Sequence, residues 1–233
     1  MKILWMILFP LSVWAQPSSS SDLVAIGILL LPDAAMLEVA KESNYQLRQS
    51  DSAGFTLDES QTPQMNLAQA FVREQDLKEI GAKVEKALQS SVKFPLKLTA
   101  TGYEFAVGKD RGVVSFTVVR SPELLQLSNL MVEILRPYAV KGGTAEAFVK
   151  KAGDEIHPAS LQLVENFISS SSGKNYRPHM AMGIARRDYI KAMQMEPFHE
   201  FDFTGVNVAI YQLGNLGTAE KELWTRGEMG NSL

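Results

Sequence analysis

The sequence contains no cysteine in its 233 residues. No disulfide framework can form and no lipid can attach at a cleavage-site Cys, so stability must come from the packed core alone. Histidine is nearly as scarce, with three, at positions 157, 179 and 199. That scarcity disfavours a histidine-based hydrolase triad, and no GxSxG, GxxxxGK[ST], HExxH or strand-following GxGxxG motif occurs. His157 stands beside Asp154 and Glu155, but this DEIHP stretch has no metal-ligand spacing, and neither metal nor cofactor is implied. Neither charge sign dominates: 23 Lys and Arg face 26 Asp and Glu, for a net charge of −3. No basic stripe exists, so duplex DNA and long RNA are not expected as partners, whereas a small phosphorylated ligand needs only local donors in a cleft. A monomer is expected.

Long apolar runs are also missing beyond the first residues, so no later stretch reads as a membrane span. The exception is the N-terminus. Lys2, the apolar run Ile3–Val13 and Val13-Trp14-Ala15 have the layout of a signal peptide cleaved after Ala15. A polar leader, 16–22, follows. The expected protein is therefore secreted or periplasmic, with its charge moved from −3 to −4 because Lys2 leaves with the signal.

What is present is an ordinary globular chain, 45% hydrophobic and 21% charged. Leu23–Leu31 is a continuous apolar run expected to form a central strand, and Pro32-Asp33 opens a helix to about Gln49. Thr62–Val72 reads as a strand, Arg73–Gln89 as a helix, and Phe94–Val107 with Val113–Val119 as a hairpin around Gly108–Gly112. Ser121-Pro122 starts a helix that stops at Pro137. An irregular insert, Lys141–Ala159, with a short helical piece at Ala145–Lys151, leads to a helix at Ser160–Ile168. Strand Asn175–Ala185, helix Arg186–Met195, strand Phe198–Leu213, a last strand at Ala219–Trp224 and a frayed tail, 225–233, complete the chain.

Two stretches share one layout. Pro63-Gln64-Met65-Asn66 aligns with Pro178-His179-Met180-Ala181, with positions 64 and 179 lying 115 apart. The element order βαβαββ in the first half and αβαββ in the second supports a duplication independently. On the second strand Tyr176, His179, Ala181 and Gly183 are expected on one face, with Met180, Met182 and Ile184 on the other.

These residues, together with PHMAMGIA, EPFHEFDF and YQLGNLGTAEKELW, resemble the two-histidine phosphoesterase superfamily, the 2'-5' RNA ligase and cyclic phosphodiesterase group. The likeness runs from Leu23 to about Trp224, and in detail to a secreted bacterial branch. It implies an α+β fold of two similar lobes, 23–120 and 121–224. Each lobe would be an antiparallel sheet with helices outside, related by a pseudo-two-fold across a central cleft. Family members carry His-x-Thr/Ser twice, one His as general base and the other as general acid, with the hydroxyls on the phosphate. This chain keeps only His179: Gln64 replaces the first His, and Asn66 and Ala181 replace the hydroxyls. Gln cannot carry a proton, and losing one acid/base group costs about 10²–10⁴ in rate. Gln64 and Asn66 remain polar donors able to hold a phosphate, Arg177 can meet an anion, and Tyr211 can stack on a base. The expectation is phosphodiester chemistry on nucleotides or RNA ends centred on His179, or a catalytically impaired module binding a nucleotide or small phosphorylated ligand.

Overall fold

A computed structural model describes residues 22–58, 61–151, 153 and 155–227. The expected signal peptide, 1–15, nearly all of the 16–22 leader and most of the tail lie outside the described residues.

The chain runs β1 (Leu23–Pro32), α1 (Ala34–Ser50), β2 (Met65–Arg73), α2 (Leu77–Ser91), β3 (Leu96–Val107) and β4 (Arg111–Val118). It continues with α3 (Pro122–Leu135), α4 (Pro158–Ser170), β5 (His179–Arg186), α5 (Arg187–Met193), β6 (Phe201–Leu213) and β7 (Ala219–Thr225). Local chemistry sets the helix starts. Asp33 accepts the Met36 N–H at 2.9 Å at the head of α1, and Ser121 accepts the Leu124 N–H at 3.2 Å, with Pro122 next, at the head of α3. The insert before α4 is shorter in helix than expected, with only a 3-10 turn at Ala145–Ala147.

All strand pairings are antiparallel and belong to one seven-stranded sheet, ordered β1-β2-β5-β4-β3-β6-β7, with β1 also pairing β6. Six strands therefore close a ring, and β7 extends from β6. The α+β class holds, and the two expected sheets are two arms of one sheet joined through β6. The front of β6, Phe201–Gly205, pairs β3, while residues 205–212 pair β1. Strands from the two halves of the chain interleave: β3 and β4 of the first half join β5, and β1 and β2 join β6 and β7. The expected boundary near residue 120 does not divide the sheet. Closure explains why β1 is apolar along its length: it is paired on both edges and buried nearly throughout.

The ring closes between β2 and β5 through one pairing, Met65 with Met180. Each of these strands then carries a bulge immediately after its motif. On β2 the partners of Leu29 and Ile28 are Asn66 and Ala68, so Leu67 is the extra residue. On β5 the partners of Ser115 and Val114 are Ala181 and Gly183, so Met182 is the extra residue. The strict alternation expected for β5 therefore fails beyond Ala181. Ile184 returns to the face of His179, and Gly183 turns to the helix side, where a Cβ would lie 2.9 Å from Asn44 Nδ2 and 3.0 Å from Leu47 Cδ1.

A bulge frees a backbone carbonyl, and a buried carbonyl needs a partner. Each bulged residue finds one on a helix. Ser128 of α3, fully buried, donates its hydroxyl to the Leu67 carbonyl at 2.8 Å. Asn44 of α1, 2% exposed, donates Nδ2 to the Met182 carbonyl at 2.7 Å. Asn44 also donates to Phe55 O at 3.0 Å and accepts from Leu57 N at 2.9 Å, tying down the segment after α1. Replacing Ser128 by Ala is predicted to cost about 1–2 kcal/mol of stability, and Asn44→Ala about 3 kcal/mol because it strands three partners at once. Urea unfolding checks this, with Asn44→Ala showing the larger drop in midpoint.

Candidate functional site

The Met65–Met180 pairing fixes what faces what. Met65 and Met180 are buried beneath the sheet, so their neighbours along each strand face the other way. Antiparallel pairing about this pair sets Asn66 beside His179 and Gln64 beside Ala181. All four border one cavity of about 60 Å³. The two copies of the motif thus meet at a single small space.

His179 is exposed at the start of β5, and its Nδ1 lies 2.9 Å from the Arg177 carbonyl. In the tautomer that donates Nδ1–H there, Nε2 keeps its lone pair for a ligand proton. Asn66 is held from two sides. Its backbone carbonyl accepts the Tyr176 hydroxyl at 3.0 Å, and burial pushes the Tyr176 phenol well up, so it stays a protonated donor. Its side-chain oxygen accepts Nε2 of Gln69 at 2.7 Å, which leaves the Asn66 Nδ2 donor for the cavity. The Gln64 amide has no protein partner among the described residues. The site therefore presents two neutral amide donors and one imidazole, with Ala181 contributing no polar atom.

Two larger cavities flank this one. The first, about 1160 Å³, shares Asn66 and His179 with it and contains Arg177, Lys174, Arg120 and Glu104. Arg177 borders this larger cavity and not the 60 Å³ one. Arg120 donates to the carbonyls of Lys174, at 2.6 Å, and Tyr176, at 3.3 Å, and so fastens the approach to His179. The second, about 810 Å³, shares Gln61, Phe55 and Val113 with the small cavity and contains Arg111, Lys151, Asp58, Glu155 and Glu220. Tyr211 borders none of the three. Its hydroxyl donates to Glu222 at 2.7 Å, and burial, then that carboxylate, raise its phenol pKa. His157 accepts the Ala159 N–H at 3.1 Å as the cap of α4.

Three residues near the site escape the motif reading. Gln69 reaches the cleft face because of the β2 bulge; it is fully buried, and its Oε1 has no partner. Its signal was a lone polar residue in the apolar run LAQAFV. Thr117 of β4 pairs with His179 across the strands and borders the 1160 Å³ cavity, offering a hydroxyl where Ala181 has none. Leu216, in the turn between β6 and β7, borders all three cavities. Only tertiary pairing identifies the last two.

A cavity of about 60 Å³ has room for a few water-sized groups, the scale of a phosphate. Of the neighbouring cavities, the 810 Å³ one falls in the range of ordinary ligand sites and the 1160 Å³ one lies just above it.

No protein-family model matches the sequence, and comparison with curated proteins gives no match. Among solved structures, TT0787 of Thermus thermophilus is similar with a TM-score of 0.52 at 12% identity, covering 88% of this chain and 100% of that one. Usb1 of Kluyveromyces marxianus with uridine monophosphate gives a TM-score of 0.40 at 9% identity, covering 86% of this chain and 99% of that one. The likeness to TT0787 is one of fold, that of a mixed α+β chain, which here is built on one antiparallel seven-stranded sheet.

Proposed function

We propose that this protein receives the phosphate of a nucleotide or RNA end in the cavity between β2 and β5, and that it is a relative of the 2'-5' RNA ligase and cyclic phosphodiesterase group in which binding outlasts full catalysis. The observation that carries this reading is the convergence of Gln64, Asn66, His179 and Ala181 on one phosphate-sized space. Two amide donors can satisfy phosphate oxygens without titrating, and the Arg177 and Lys174 side supplies positive charge nearby. In-line displacement needs a proton acceptor on one side of phosphorus and a donor on the other. Only the His179 side has such a group, so turnover of a diester is slow.

A second reading, a weak cyclic phosphodiesterase, is favoured by one detail. The Arg177 carbonyl engages Nδ1 of His179 and leaves Nε2 for proton transfer. By this reading the leaving oxygen takes its proton from water, opposite His179.

The same proposal puts this binding outside the cytoplasm, on the strength of the leader sequence, with mature protein beginning at Gln16. Mass spectrometry of protein exported from a bacterial host checks this; an intact residue 1–15 segment overturns it.

Uridine 3'-monophosphate at about one hundred times its dissociation constant is predicted to stabilise the protein by about 2.7 kcal/mol. Asn66→Asp, which replaces the donor by a carboxylate, is expected to abolish that stabilisation while leaving the unliganded melting temperature little changed. Absence of any stabilisation in the parent protein would refute phosphate binding here.

On uridine 2',3'-cyclic phosphate, His179→Ala is expected to remove all protein-dependent turnover. Restoring Gln64→His, Asn66→Thr and Ala181→Thr together should raise turnover by about 10² or more. Equal turnover in the parent and His179→Ala forms would rule out His179 chemistry.

A further inference from the structure

Leu216 has no ordinary reason to be where it is. Its backbone is left-handed, with φ 55° and ψ 23°, and it is the sole non-glycine residue with positive φ among the described residues. A leucine is strained in that conformation, and glycines at 214 and 217 of the same turn would tolerate it. Burial does not explain it either, because its side chain is large and the residue is 40% exposed. The conformation is nonetheless firmly imposed. The Leu216 N–H donates to Ser160 Oγ at 2.9 Å. Asn215 Oδ1 accepts from His157 N at 2.7 Å, and Asn215 Nδ2 donates to Glu155 O at 2.8 Å. Strain that surrounding contacts hold in place marks a position with a task.

That task is legible in what Leu216 touches. Of the described residues it alone borders the small motif cavity and both of its neighbours. The neighbours differ in charge. The 1160 Å³ cavity sets three cations, Arg120, Lys174 and Arg177, against Glu104. The 810 Å³ cavity sets Arg111 and Lys151 against Asp58, Glu155 and Glu220, and Lys151 is already paired with Glu220 at 3.3 Å. An anionic strand is attracted to the first chamber and repelled by the second.

Building on the phosphate-binding reading, we propose that Leu216 is a specificity-determining residue: the wall between these chambers, which makes the cavity accept a terminal phosphate and reject a phosphate inside a continuing strand. The strand enters along Arg177 and Lys174, its last phosphate meets Asn66 and His179, and Leu216 blocks continuation into the acidic chamber. The wall acts on binding and takes no part in proton transfer.

The test compares two single-stranded oligouridylates with three phosphates each: a trinucleotide ending in a 3'-phosphate, and a tetranucleotide whose phosphates are all internal. Affinities are measured by calorimetry for the parent protein, Leu216→Ala and Leu216→Gly. The parent is expected to prefer the terminal phosphate by about tenfold, and both variants to bring the two ligands within about twofold. Leu216→Gly relieves the left-handed strain, so its melting temperature should equal or exceed that of the parent. A preference that survives both variants overturns the wall. So does a fall in the melting temperature of Leu216→Gly, which would make Leu216 a packing residue. A parent protein that binds both ligands equally overturns the wall and leaves phosphate binding standing; one that binds neither overturns both.

Discussion

Two hydrogen bonds from helices to bulged strands hold the site in being. Ser128 on the Leu67 carbonyl and Asn44 on the Met182 carbonyl do the same job in the two motif strands. A bulge twists its strand and re-aims the side chains beyond it. It also leaves a carbonyl that the ladder no longer satisfies, deep under a helix where water cannot serve. A polar side chain buried on that helix is the remedy, and it couples helix position to strand twist. The result is that β2 and β5 approach closely at Met65 and Met180 and diverge elsewhere, opening a cleft on the motif face with a narrow floor. Gly183 belongs to the same arrangement, since any side chain there would push Asn44 from the carbonyl it holds.

The repeat was legible in the sequence because it is written in short-range pattern. Proline, a polar residue, methionine and a second small or polar residue recur at 64 and 179, and the order of strands and helices recurs around them. His179, Gln64 and Asn66 border the small cavity, and Arg177 borders the larger one beside it. Tyr211 does not, because pairing with β7 sets its hydroxyl on Glu222. Strand sharing through β6 was hidden, since one long alternating run looks the same whether it has two partners or three. The bulges were hidden for a deeper reason. An extra residue exists only relative to a partner strand, so no single strand's sequence declares it. Gln69 shows the consequence: by plain alternation it lies on the face opposite Asn66, and only the bulge brings the two amides within 2.7 Å.

The polar residues around Asn66 do a definite job. Gln69 buries an amide whose oxygen is left unpaired, a cost of about 1–3 kcal/mol in a typical interior. What that cost secures is the orientation of Asn66: with its oxygen occupied, its N–H groups are turned to the cavity. Tyr176 fixes the same residue through its backbone, as a neutral donor that burial keeps protonated. Two buried polar groups thus converge on Asn66. Such support is what a preorganised donor needs, because a freely rotating amide would offer oxygen as readily as nitrogen to an anion.

The two halves of the chain contribute unequally to this cleft, and the inequality has a direction. From the first half come the neutral amides Gln64, Asn66 and Gln69, with Arg120 and Glu104 farther out at the larger cavity. The second half supplies His179 as well as Lys174 and Arg177, all on the approach to β5. The acidic chamber on the opposite side is built from the insert before α4 and the start of β7, through Glu155 and Glu220. A ligand that carries charge along its length therefore has one favourable way to lie: its body over the basic approach and its end against the amides. The Met65–Met180 pairing gives the floor two like strands, and the inequality of charge gives the site a front and a back. Leu216 stands at the border between them, where the three cavities meet.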